Sequence, residues 1–281
     1  MSCILSEYND LSNIYHILLK ESATLFKLHK EGYDKLILKN YDNSFCNMWR
    51  RMIYSSIFEL LPMETKIVPN KILENKHCRM FLYDTFKFSP HLELNIDFSN
   101  MIDLIKKNIT IKQSHYPKIV LSLRNSNRIL YDLNTKQRID ILFAQKFGDN
   151  TVVYFESLSP IEQLNYLQNC ETFIGVHGAN LVNLIFTTNN AHIVEISFRK
   201  HWYCDPVCIQ HQQNVLKWGE KCNGKLKKRP YYHKADYHNL SLILGKKYTE
   251  YTDVICENYL NKNPINVENI YVDFEKLCSY I

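Results

Sequence analysis

The chain has 281 residues, 46% of them hydrophobic. It can bury a full core as one large domain or two of about 100 to 150 residues, and this favours a globular class. Lys and Arg number 34 against 29 Asp and Glu, a balance of +5 that suits an anionic small ligand as well as nucleic acid and decides between neither. Nine scattered cysteines, no basic-then-apolar leader and no run near the ~18 apolar residues of a membrane span give the expectation of a soluble, cytoplasmic protein with reduced thiols.

Residues 11–26 repeat apolar side chains at Leu11, Ile14, Tyr15, Leu18, Leu19, Leu25 and Phe26, the spacing of an amphipathic helix, with His16 beside the stripe. "KLILK" reads as a strand. A second helix follows with Phe45, Met48, Trp49, Met52 and Ile53 on one face, and "TKIV" and "RMFLYD" read as further strands. Two glycosylation sequons, at Asn108 and Asn239, are expected to be ordinary surface loops.

From residue 98 a helix pattern leads to a more regular order. A strand over 118–123 precedes a helix near 135–147, which Gly148 can end as a left-handed cap. A strand over 151–155 precedes "SPIEQLNYLQ", where Ser159, Pro160 and Glu162 stand at the positions of a capping box. A strand over 172–175 then leads into a helix starting near Ala179, and "AHIVEIS" is the next strand. Strands separated by helices predict an α/β fold with a parallel, doubly wound sheet.

Open α/β sheets bind ligands beyond the carboxyl ends of their strands. Arg124 and Arg128 follow the first of these strands, Glu156 the second, and Gly175, His177 and Gly178 the third, while Glu195 lies in the fourth. Glycine is scarce, 7 residues in all, so two around one histidine point to a turn where the backbone approaches a ligand. A glycine turn opening a helix at Ala179 presents backbone N–H groups and the positive helix end to an anion. His177 could donate to the same anion, and the two arginines could add charge-assisted bonds. Glu195 is expected to accept from ribose hydroxyls, as acidic strand-end residues do in dinucleotide folds. Together they read as a nucleotide diphosphate site.

The stretch "YFESLSPIEQLNYLQNCETFIGVHGANLVNLIFTTNNAHIVEIS" resembles the core of glycosyltransferase family 61. The arginine pair in "LSLRNSNRIL", the aromatic-X-His helix in "NIYHILL", the Tyr-rich "HNLSLILGKKYTEYT" and the closing "INVENIYVDFEKL" match further family blocks in order. The resemblance implies a GT-B fold of two facing Rossmann-like domains with parallel doubly wound sheets. Residues 1–110 are expected on the acceptor side and 111–281 on the nucleotide-sugar side, with the last helix able to pack back on the first domain. It also implies inverting transfer from a UDP-sugar to a glycan or protein hydroxyl without a bound metal or other cofactor, and the chain has no Asp-X-Asp motif. His16 is the candidate base or acceptor-site residue, with Glu21 in reserve. Donor binding is assigned to Arg124, Arg128, Glu156, Gly175, His177, Gly178, Ala179, Asn180 and Glu195. Many relatives have a small residue where Asn180 stands, and a tryptophan where Ile17 stands.

Two other groupings carry chemistry. His201, Cys204, Cys208 and His211 have a spacing within loose zinc limits, against a reading as free thiols and loop residues. Lys225, Lys227, Lys228 and Arg229 lie beside Tyr231 and Tyr232, a pattern open to single-stranded nucleic acid, an acidic acceptor or a solvated loop. The alternative function is therefore a noncatalytic sugar-nucleotide or single-stranded nucleic-acid binding module.

Overall fold

The computed structural model describes residues 3–7, 35–38, 45–57, 59–61, 78–82, 96–109, 116–125, 127–198, 234–259 and 267–281, with Ile14, Ile17, Leu18, Ser22, Phe26, His29, Lys30 and Gly32. By internal packing the chain divides into two compact units, Met1–Lys112 with Ser159–Leu164, and Gln113–Leu158 with Asn165–Ile281.

The first unit holds four parallel strands, β1 (Cys3–Glu7), β2 (Lys35–Leu38), β3 (Glu59–Leu61) and β4 (Cys78–Leu82), in the order β3-β2-β1-β4. The strands expected at "KLILK" and "RMFLYD" are β2 and β4, β1 and β3 are additional, and "TKIV" lies outside the described residues. Of the stripe expected over 11–26, Ile14, Leu18 and Phe26 are helical and buried, as are Ile17 and Ser22 beside it, while Leu11, Tyr15, Leu19 and Leu25 lie outside the described residues. Helix α1 (Phe45–Ser55) buries Trp49 and Ile53 together with Arg50 and Tyr54, while Met48 turns outward, so its buried face is rotated from the one expected. Helix α2 (Ile96–Asn108) buries Met101, Ile102 and Ile105. Asn108 ends this helix and donates to the Ser56 carbonyl at 2.6 Å, so that sequon is not in a loop.

The second unit is built on five parallel strands: β5 (Ile119–Leu123), β7 (Val152–Tyr154), β8 (Thr172–Val176), β9 (His192–Ile196) and β10 (Lys247–Tyr251). Their order is β10-β9-β8-β5-β7. The chain leaves β5 toward β7 on one side and returns to β8 on the other, so the strand order reverses between β5 and β8, where doubly wound sheets open a crevice. A smaller sheet, β11-β12-β6, joins β6 (Ile129–Asp132), β11 (Val254–Tyr259) and β12 (Val267–Val272). Leu130, Val254, Ile270 and Val272 from it share one buried core with Leu121, Ile174, Val194 and Ile196 of the larger sheet.

Helix α3 (Ile139–Phe147) begins four residues later than its pattern suggested. The Asp132 carboxylate accepts from the Thr135 amide at 2.7 Å and holds residues 132–136 in a turn after β6. Gly148 ends α3 with its N–H on the Ala144 carbonyl, but at φ 103°, ψ 148° it is not in the left-handed helical well. Helix α4 (Pro160–Leu167) opens on the capping box: the Ser159 amide and hydroxyl donate to Glu162 Oε2 at 2.8 and 2.6 Å. These bonds from Ser159 hold the Glu162 carboxyl below its usual range. Helix α5 (Lys234–Ile243) contains the second sequon, Asn239, again not a loop, and α6 (Phe274–Cys278) closes the chain. No helix among the described residues is long and apolar enough to cross a membrane.

Candidate functional site

Gly178 is the centre of the arrangement. It follows β8 at φ 153°, ψ 178°, a backbone region open essentially to glycine alone. A Cβ at this position would stand 2.6 Å from Arg128 Nη1 and 3.3 Å from Arg124 Nη1. Two guanidiniums from the segment between β5 and β6 thus converge on the turn after β8, at the switch point of the sheet.

The two arginines differ in exposure. Arg128 is 7% exposed, its Nη1 donates to the His177 carbonyl at 2.6 Å, and its guanidinium lies 5.0 Å over the Phe198 ring. Burial, with Arg124 close by, pulls its pKa down from the ordinary arginine value to about 10. Its backbone is held at φ 59°, uncommon for a residue other than glycine, with its N–H on the Val267 carbonyl. Arg124 is the more exposed, and Glu156 Oε1 orients it from 3.3 Å while Glu156 Oε2 accepts from the Asn125 amide. Like charges set side by side in a half-buried place favour an anion between them.

His177 Nδ1 lies 2.6 Å from Glu195 Oε1, and the Tyr248 hydroxyl donates to Glu195 Oε2. Glu195 is 1% exposed. Both its oxygens are engaged by protein side chains, one by His177 and one by Tyr248. Tyr237, on α5, donates to the Gly178 carbonyl at 2.7 Å and meets the His177 ring edge-on, with centroids 5.7 Å apart. Arg128 and Tyr237 therefore fix two successive carbonyls of the turn.

Ala179 opens a helix of the tighter 3-10 kind, Ala179–Phe186, which buries Leu181 through Phe186. Its first N–H groups have no partner inside the helix, the property an anion uses. Asn180, half-buried at its start, carries a side-chain nitrogen that is buried without a hydrogen-bond partner among the described residues. Gly175 has a packing reason: a Cβ there would press 3.3 Å from Leu181 Cδ2. It supports the turn from within β8.

His16, Glu21, the His201–His211 grouping and the basic stretch of residues 225–229 lie outside the described residues. Among the described residues no three His, Cys, Asp or Glu side chains gather in a group that could hold a metal ion. Tyr237 and Tyr248 were not visible as site residues, because their hydroxyls arrive from elements some sixty residues after the turn.

The second unit is thus a parallel α/β unit of Rossmann-like kind, with a glycine turn flanked by two arginines at the switch point of its sheet. The family model described as Glycosyltransferase 61 matches residues 35–194, more than half of the chain, and the chain belongs to that family. The EGF domain-specific O-linked N-acetylglucosamine transferase of Canis lupus familiaris is 26% identical over 166 residues, covering 58% of this chain and 28% of that protein. The protein of the same name from Pan troglodytes matches with the same identity and coverage. The chain thus spans well under a third of the length of these curated relatives.

Proposed function

We propose that the chain transfers a sugar from a UDP-sugar to a hydroxyl of a glycan or protein acceptor, with inversion and without a metal, in a GT-B arrangement whose second unit holds the donor. The observation that carries this reading is the convergence of Arg124 and Arg128 on the Gly178 turn in a chain of this family. A diphosphate seated there would receive charge-assisted bonds from Arg124, the N–H groups at the start of the 3-10 helix and His177, with Arg128 supplying charge from beneath. The acceptor oxygen would bond to the anomeric carbon as the bond to the diphosphate oxygen breaks on the opposite face. Its proton would pass to a base, for which we propose His16, with Glu21 in reserve. The negative charge arriving on UDP would meet fixed cations in place, so no reorganisation is needed during the step.

A thermal-shift screen with UDP, GDP, CMP and UDP-N-acetylglucosamine, each with and without excess chelator, tests the proposal. A ligand that binds the native state alone raises its melting temperature. Stabilisation by UDP and the UDP-sugar, above that by GDP or CMP and unaffected by chelator, is expected. No shift with any uridine nucleotide would count against it.

A further inference from the structure

We propose that Tyr248 is a positioning residue of this site: acting through the buried Glu195 carboxylate, it holds His177 as a ring protonated on both nitrogens at the edge of the arginine cradle. The inference rests on reading that cradle as a diphosphate site.

The sheet itself aligns the three groups. In the parallel register Gly175 is opposite Glu195 and Ile193 is opposite Tyr248. Side chains two apart share a face, so Tyr248, Glu195 and His177 step diagonally along one face from β10 through β9 to the turn after β8. A carboxylate buried this deeply is tolerated only when its oxygens are paired. Tyr248 donates to one oxygen and His177 Nδ1 lies 2.6 Å from the other.

Because Nδ1 is committed to Glu195, any bond the ring donates to a phosphate must come from Nε2. The ring can serve Glu195 and a phosphate together as a donor only if it carries both protons. The charged and titratable groups around it divide in their effect. Glu195 favours the cation, Arg128 on the His177 carbonyl and the nearby Arg124 oppose it, and Tyr237 meets the ring edge-on beside the neutral Phe198. The Tyr248 hydroxyl tips the balance by stabilising the ionised carboxylate, which leaves the shared proton on the ring.

The test is ring-nitrogen NMR of histidine-labelled, unliganded protein near neutral pH, with the His177 signals assigned by their loss in His177→Gln. The proposal expects two protonated ring nitrogens in the wild type. In Tyr248→Phe the Nδ1 signal should move toward that of an unprotonated nitrogen as the proton shifts to Glu195, with UDP affinity falling about three- to tenfold. A neutral His177 in the wild type, or unchanged ring signals in Tyr248→Phe, would overturn it. In Glu195→Gln the drop in UDP affinity on raising pH should move to lower pH, whereas an even weakening at every pH would mark a merely structural carboxylate and overturn the role. The ring signals need no ligand. Failure of the wild type to bind UDP therefore overturns the diphosphate reading alone, and the unliganded spectra still decide the part played by Tyr248.

Discussion

Two buried carboxylates at strand ends of the second unit, Asp132 and Glu195, are satisfied in different ways. Asp132 accepts from the Thr135 amide and hydroxyl and from the Phe274 amide, so its bonds tie the turn after β6 to the start of α6. Burial alone would raise its carboxyl, but the bonds from Thr135 and Phe274 outweigh that and hold it below the usual range. Glu195 is engaged instead by two titratable side chains, His177 and Tyr248. A carboxylate bound to backbone amides holds the fold. One bound to a histidine beside two arginines at the sheet's switch point would, in the function proposed, act on a ligand through that histidine. The comparison predicts that stability and ligand binding separate between the two places.

The largest effect should come from closing the turn. Gly178→Val would set a side chain against the Arg128 guanidinium in a backbone region that costs about 1–3 kcal/mol for other residues. UDP binding measured by calorimetry should be lost while a cooperative unfolding transition remains. A valine variant that folds and binds UDP normally would break the site half of the comparison.

Arg124→Ala should weaken UDP binding by about 1.5–3 kcal/mol, the scale of a lost charged hydrogen bond, and leave the melting temperature nearly unchanged. Asp132→Asn should do the reverse, lowering unfolding free energy by about 1–3 kcal/mol with UDP affinity intact. Since the folded Asp132 carboxyl is held low, its stabilisation is present above the ordinary carboxylate range and is lost as pH falls through the lowered value. The asparagine variant should therefore show a shallower acid limb in denaturant titrations across pH. A smaller change is expected from Ser159→Ala, which removes one partner of the capping box and should cost about 0.5–2 kcal/mol of stability with donor affinity kept.

Much of the second unit was legible because its strands are short apolar runs bounded by turn residues. Arg124 and Gly178 could be placed because each comes within two residues of the end of such a run, and Arg128 because it lies four residues on from Arg124. The small sheet was not legible: β6 is four residues long and sits between a polar loop and an Asp132-bound turn that resembles the start of α3. Gly175 was read with its neighbour Gly178, although one packs against Leu181 and the other opens the turn to guanidiniums. The side-chain partners of Glu195 were not legible because β9 is almost wholly buried, so apolar and polar residues do not alternate to show which way the carboxylate faces. Its partner Tyr248 lies on β10, which the parallel pairing of the sheet sets beside β9 although the two strands are some fifty residues apart in sequence.

The central claim is that fixed cations at the Gly178 turn, and not a metal, hold the diphosphate. It is tested most directly by titrating UDP into the protein by calorimetry in excess chelator and again with added Mg²⁺ or Mn²⁺. The cradle already presents Arg124 and Arg128, so a divalent cation would be set beside like charges and should add little. The account predicts binding in chelator with an affinity that the metals leave unchanged. Binding that vanishes in chelator and returns with metal would contradict it.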